Sequence, residues 1–393
     1  MTTSLRDLCG QLSQRFGAAW NRFWFTPSDP VVVCALRAAT GAVALYLLLT
    51  FSPDLRAFFA AGGLLPADAV GAWAREHASP GFWTVDRFSY LSYVSDPTTL
   101  TVLHVIGLAV LLAFTLGLFT RATSIASLVV VLSYMHRAPM LVSYVEPVVA
   151  MMLFYLCLAP CGACLSIDAL WQNRRGGMPG TGVPGAERGQ PLSGSSDVFP
   201  APPQPQAAAS PWATVATRLM QIHVAGLYLM IALSQLAGGS AGPWWDGAAV
   251  WMLAARPEMP LVDMTWLAGH PFLIDVLTRF IVCVELAFPL LVWHRPLRPF
   301  VLALAALMWG LVALLTGLAA FGLMMTIASL AFVPPRWLRA LLARAMQPAA
   351  AAAPRGEVAT PAGTSPSEGA EQPSQPKPSR KAGKHSRQPA RTR

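Results

Sequence analysis

Several runs of about twenty apolar residues, each closed by proline, glycine or charged punctuation, leave this chain few ways to fold. Only 12% of its 393 residues are charged, whereas a soluble domain carries about 25%. Too little polar sequence remains to cover such runs in water. In hydrocarbon the backbone must satisfy its own hydrogen bonds, so apolar runs of this length become helices. The sequence therefore predicts an all-α fold, a polytopic transmembrane helical bundle of about eight spans. These lie near residues 31 to 52, 99 to 120, 122 to 141, 144 to 165, 213 to 236, 271 to 293, 299 to 317 and 319 to 334. The last is short for a crossing, as a re-entrant or tilted helix would be, which leaves seven or eight.

Basic residues outnumber acidic ones, 28 to 19. They lie in short loops and a tail beside the apolar runs, which points to membrane topology rather than a nucleic-acid partner. The N-terminal arginines, Arg121, the pair Arg174 and Arg175, "HRPLRP" and "RWLRALLAR" fall on one side of an alternating bundle. By the positive-inside rule that side is the cytoplasm of a cell membrane, with both termini cytoplasmic. The longest opposite loop, 53 to 98, carries Trp73, Phe82, Trp83 and Tyr90 and reads as an extracytoplasmic interfacial segment.

Five regions follow. Residues 1–30 lack the short apolar core and cleavage site of a signal peptide and read as an amphipathic interfacial helix. Its Leu8, Leu12, Phe16, Trp20 and Phe23 recur at helical spacing beside Arg15 and Arg22, and "TPSDP" breaks it. Residues 31–171 form a front group of spans, 172–211 a Pro/Gly-rich flexible linker, and 212–345 a back group. Residues 346–393 read as a disordered tail, whose basic end, from Lys377 to Arg393, suits anionic lipid.

Polar side chains inside the runs are the functional candidates, because an ionisable group at membrane depth costs several kcal/mol unless paired or solvated. Arg37 and Arg218 lie near span ends, where snorkelling accounts for them. His104 reads as a packing histidine. His223 is divided between packing and a site role. His136, Arg137, Tyr144 and Glu146 gather at one membrane face: either an Arg137–Glu146 ion pair ties two helix ends, or the group forms a charged mouth for a substrate. Glu285 is the deepest carboxylate. It lies six residues from Arg279, on a different helical face, so the two are not an intrahelical pair. It either closes a helix contact or takes part in proton chemistry. Cys157, Cys161 and Cys164 have C-x3-C-x2-C spacing but no fourth clustered ligand, so no metal is expected. Soluble catalytic fingerprints such as G-x-S-x-G, H-E-x-x-H or the P-loop do not occur in a plausible strand-turn-helix setting.

The ordered set "CALRAATGAVALY", "FFAAGGLLP", "LGLFTRATS", "SYMHRAPML", "FYLCLAPCGACLSIDALW", "QIHVAGLYLMIALSQL", "WWDGAAVW" and "TRFIVCVELAFPLL" resembles the horizontally transferred transmembrane (HTTM) family, relatives of vitamin K-dependent gamma-glutamyl carboxylase. The resemblance covers about residues 16 to 340. It implies an intramembrane site for a reduced, vitamin K-like quinone or a lipid-linked substrate. In the family, the stretch matching "IALSQL" carries a lysine held to be the base that deprotonates the hydroquinone; here that position is Gln235. A desolvated lysine can act as a general base, whereas an amide has no comparable basicity. Two more departures are the missing large extracytoplasmic substrate-binding region and Trp309, near which relatives tend to show a histidine.

Three functions are open at this point. One is a carboxylase-like oxidoreductase or lyase whose cavity is lined by His223, Gln235, Glu285, Asp246 and the Trp244/Trp245 wall. A second keeps the fold and binds a lipid or partner without catalysis, its basic tail on the membrane. A third, a secondary transporter, lacks the internal repeat such folds often show. The residues themselves fix no cofactor.

Overall fold

The computed structural model describes residues 5–76, 88–176, 208–239, 242–255 and 262–346. Most of the expected linker, the loop aromatics Phe82 and Trp83, and the tail beyond 346 lie outside the described residues. What is described is helical, and among these residues no strand forms; an isolated antiparallel bridge joins Ser28 to Ser210.

The front of the bundle is α1 (Leu5–Phe25), α2 (Val31–Thr50), α3 (Leu55–Phe59), α4 (Ala67–Glu76), α5 (Pro97–Leu116), α6 (Thr120–Arg137), α7 (Val145–Leu158) and α8 (Ile167–Gly176). The back is α9 (Pro211–Leu236), α10 (Ala249–Ala254), α11 (Pro271–Leu291), α12 (Arg298–Thr316), α13 (Ala319–Ser329) and α14 (Pro335–Met346). Four of these, α2, α5, α9 and α12, are long and apolar enough to cross a membrane. A fifth crossing is available if α13 and α14, bent by 116° to one another, count as one. The chain is thus an all-α membrane protein. α6 is diluted by Thr, Ser and two arginines, α11 carries Asp275, Arg279 and Glu285, and α7 is only 14 residues long.

Local chemistry sets the helix ends. Asp96 caps α5 by accepting from the Thr99 amide at 2.7 Å, with Pro97 in the first turn. At the other end Gly117, φ 77°, takes the left-handed conformation that closes a helix. A side chain there would also meet Ser166 and the Arg37 guanidinium, so the elbow into α6 requires glycine twice over.

Arg37 corrects the snorkelling expectation. It is fully buried in α2, the central post, which packs on α5, α7, α9 and α13. Its guanidinium donates to Phe114 O (2.5 Å) and Thr115 O (2.7 Å) at the C-terminus of α5, and to Cys161 O (3.1 Å) and Leu165 O (2.5 Å) beyond α7. Helix C-termini present unpaired carbonyls and partial negative charge, so this cation satisfies two chain ends at once. Asp168 does the converse at the adjacent helix start, accepting from the Phe119 and Thr120 amides at 3.0 and 2.9 Å. Arg218 is half-buried: it covers the Phe23 ring at 4.4 Å and donates to Gln221 Oε1 at 2.9 Å. That contact ties α9 to the N-terminal helix. His104 is the packing histidine expected, bonded to Ser52 Oγ (2.9 Å) and Tyr134 OH (2.7 Å).

The amphipathic start forms as α1, with Phe16 and Trp20 exposed and stacked on each other. α14 exposes Trp337 and Leu341. α14 is tied to the segment between α1 and α2, where Arg339 hydrogen-bonds both carboxylate oxygens of Asp29. Burial alone would raise the Asp29 carboxyl, but hydrogen bonds from Arg339 and the Val31 amide, with the Arg339 charge, hold it below the usual carboxylate range. A lowered native pKa means the pair stabilises the fold above the unfolded value of about 3.9 and ceases to do so as pH falls through the native one. Asp29→Asn is therefore expected to speed tryptic cutting at Arg336 and Arg344 severalfold near neutral pH. Because trypsin requires that pH, the acid arm is read by thermal unfolding. There the difference between wild type and variant, no more than about 1 kcal/mol for a partly exposed pair, should be lost as pH falls through the lowered native pKa of Asp29.

Candidate functional site

Glu285 stands two-thirds of the way along α11 and is 1% exposed. Its neighbour across the helix interface is Gln235, in the last turn of α9, whose amide reaches the Glu285 carboxyl as a hydrogen-bonding partner. One oxygen of each, Glu285 Oε2 and Gln235 Oε1, is buried without any partner. Buried polar atoms are almost always paired, and leaving one unpaired costs about 1–3 kcal/mol. Pro289 adds to this polarity. Lacking an N–H, it cannot bond the carbonyl four residues earlier, which is that of Glu285. Side-chain and backbone oxygens of one residue thus lie short of donors inside an apolar bundle.

Aromatic rings pack beneath. Tyr228 of α9 stacks on Phe288 with centroids 3.8 Å apart and planes within 6°. Its hydroxyl accepts from Trp309 Nε1 of α12 at 2.7 Å and lies 3.1 Å from Ser329 Oγ at the end of α13. Three helices are thereby tied by hydroxyl and indole groups with their partners filled, and α11 joins them through the Phe288 ring, three residues after Glu285.

The other expected residues fall elsewhere. His223 is exposed and bonded to Tyr155 OH of α7 at 2.9 Å; twelve residues before Gln235, it faces a different side of α9. Trp244 packs against the core, while Trp245 is 48% exposed and donates to Leu236 O at 3.0 Å. Asp246 is exposed and accepts from the Ala248 amide at 3.0 Å, forming the turn before α10 rather than lining a cavity with Glu285. That segment docks on α11 through Thr278, which donates to Gly247 O (2.9 Å) and accepts from Val250 N (3.1 Å).

At the mouth of α6 and α7 the expected Arg137–Glu146 ion pair does not form. Arg137 is 1% exposed, donates to Leu65 O at 2.7 Å and covers the Phe59 ring at 5.3 Å. It therefore anchors the α3–α4 cap. Glu146 instead accepts from Ser143 N and Oγ, each at 2.8 Å, and His136 bonds Phe88 O at 2.8 Å. Arg279 pairs with Asp275 one turn earlier, at 2.8 Å, and leaves Glu285 alone. Among the described residues no three His, Cys, Asp or Glu side chains gather as a metal site would need.

Sequence reasoning missed Tyr228, Trp309 and Ser329 as members of one network. The signal available was a tyrosine, a serine and a tryptophan inside apolar runs, where each polar atom needs a buried partner. Fold and site together define an integral membrane protein with a donor-poor polar site buried between helices. No protein-family model matches the chain, nor does any curated protein or solved structure.

Proposed function

We propose that the chain is a multi-pass cell-membrane protein of the HTTM and vitamin K-dependent carboxylase-like type, in which the Gln235–Glu285 site binds the head of a reduced quinone. α2, α5, α6, α7, α9, α11, α12 and α13 supply eight crossings, with the short connections α5–α6, α6–α7, α11–α12 and α12–α13 reversing the chain direction at each step. α14 lies along the cytoplasmic surface, and both termini are cytoplasmic; a reporter fused after Arg393 should read cytoplasmic.

One observation carries this reading: two buried acceptors from different helices lack donors. A hydroquinone carries two O–H donors, whereas the oxidised quinone has acceptors only. Flat rings also suit an aromatic-lined interface. With Gln235 in place of a lysine, the site holds the hydroquinone but has no amine to deprotonate it, so the function is binding rather than carboxylation.

Titrating the nanodisc-embedded protein with a short-chain naphthohydroquinone tests this. Saturable binding is expected, with the oxidised form at least about fivefold weaker, since leaving a buried acceptor without its donor costs about 1–3 kcal/mol. Equal affinity for both forms, or no binding, would overturn the assignment.

A further inference from the structure

A polar cavity lies at the opposite end of α9 from Gln235, beside the start of α14. It encloses about 220 Å³ between the start of α2, the first turns of α9, the α11–α12 loop and the α13–α14 bend. That is roughly seven water volumes at about 30 Å³ each. Arg218, Arg295 and Arg298 line it. The one carboxylate on its described wall, Asp29, is already committed to Arg339. Arg218 is within electrostatic reach of Arg298, and Arg298 of Arg295. Their donors are only partly used: Arg218 spends one on Gln221, and Arg298 places Nε on Val292 O at 3.0 Å and Nη2 on Trp293 O at 3.5 Å. Arg295 is exposed and has no acidic partner among the described residues.

Three guanidinium groups around one void repel each other unless an anion sits between them. Arginine forks match the oxygens of phosphate, and basic pockets between helices at the cytoplasmic surface are suited to lipid head groups. The rest of the wall mixes the hydroxyl and amide groups of Ser28, Thr214, Thr217 and Gln221 with the apolar Val32 and Phe332, so the cavity offers hydrogen-bonding groups beside the charges and some apolar surface. We propose that this cavity binds the phosphate of an anionic lipid, held by Arg218, Arg295 and Arg298. The site is separate from Gln235 and Glu285 and does not depend on what they bind.

The test is native mass spectrometry of the full chain in detergent, titrated in turn with phosphatidylglycerol and with inorganic phosphate. Arg295 makes the cleanest variant because it holds no backbone group. Phosphatidylglycerol should bind saturably, about fivefold more weakly in Arg295→Gln and about thirtyfold in Arg295→Glu. These are one and two charge steps at the per-charge effect of a basic residue near an anionic surface. The melting temperature should be unchanged, and should Arg295→Glu not fold, Arg295→Gln is read alone. Inorganic phosphate binding with the same arginine dependence, and no lipid binding, would assign the site to free phosphate and sustain the phosphate chemistry. Undiminished lipid binding in the folded variants, or no binding of either probe, would overturn the proposal.

Discussion

Replacing Arg37 with methionine should cost about 3–5 kcal/mol, the range for removing one side of a buried charged contact, and leave little folded protein at ordinary temperature. Methionine keeps much of the volume, so the loss reports hydrogen bonding rather than a cavity. Four carbonyls, of Phe114, Thr115, Cys161 and Leu165, lose their donor together, and no other described group is bonded to the last two in its place. Arg37→Lys should fall between, because a single ammonium cannot span acceptors spread over the α5 end and the segment beyond α7. The fraction of protein remaining monodisperse after a heat step, in one detergent, orders the three. An Arg37→Met protein as heat-resistant as wild type would show that those carbonyls do not hold the bundle together.

The second large effect is on ligand affinity. Glu285→Gln should weaken naphthohydroquinone binding by about fivefold to a hundredfold, as expected when one hydrogen bond is lost in a buried site at a cost of about 1–3 kcal/mol. The fold should persist, because the swap conserves shape and an amide can still meet Gln235 across the helix interface. Gln235→Lys is more informative than a simple restoration of the family's lysine. In this chain the introduced ammonium would stand beside Glu285 and pair with its carboxylate, so it gains no turnover of the hydroquinone by itself. The double variant Gln235→Lys/Glu285→Gln removes that partner, and hydroquinone deprotonation by the lysine amine should appear there first, read as the ultraviolet absorbance of the bound hydroquinone anion. Equal binding by wild type and Glu285→Gln would detach Glu285 from the site.

Periodicity and punctuation made the helices legible. "TPSDP" ends α1 at Phe25 and lets α2 start at Val31, and Asp96-Pro97 and Gly117 bound α5. Each of the eight apolar runs contains a helix, but some of the runs overstate its length. The run at 144 to 165 holds only the helix Val145–Leu158, since Pro160 and Gly162 follow and their turn supplies acceptors for Arg37. The burial of Glu285 was legible from its depth in the run. Its pairing with Gln235 was not, because the two are fifty residues apart and no periodicity reports which faces of two helices meet. The same blindness made Arg37 and Arg137 look like surface cations. Position along a span was visible, but rotation about the helix axis was not. Rotation decides whether an arginine reaches water or the carbonyl ends of its neighbours.

The most direct test of the quinone site is a cryo-electron microscopy map of the nanodisc protein saturated with a short-chain naphthohydroquinone. The expected result is planar density between α9 and α11, with an oxygen within hydrogen-bonding reach of Gln235 and another of Glu285. A map of equal quality in which the Gln235 and Glu285 side chains close on each other, with ring density elsewhere or nowhere, would contradict it.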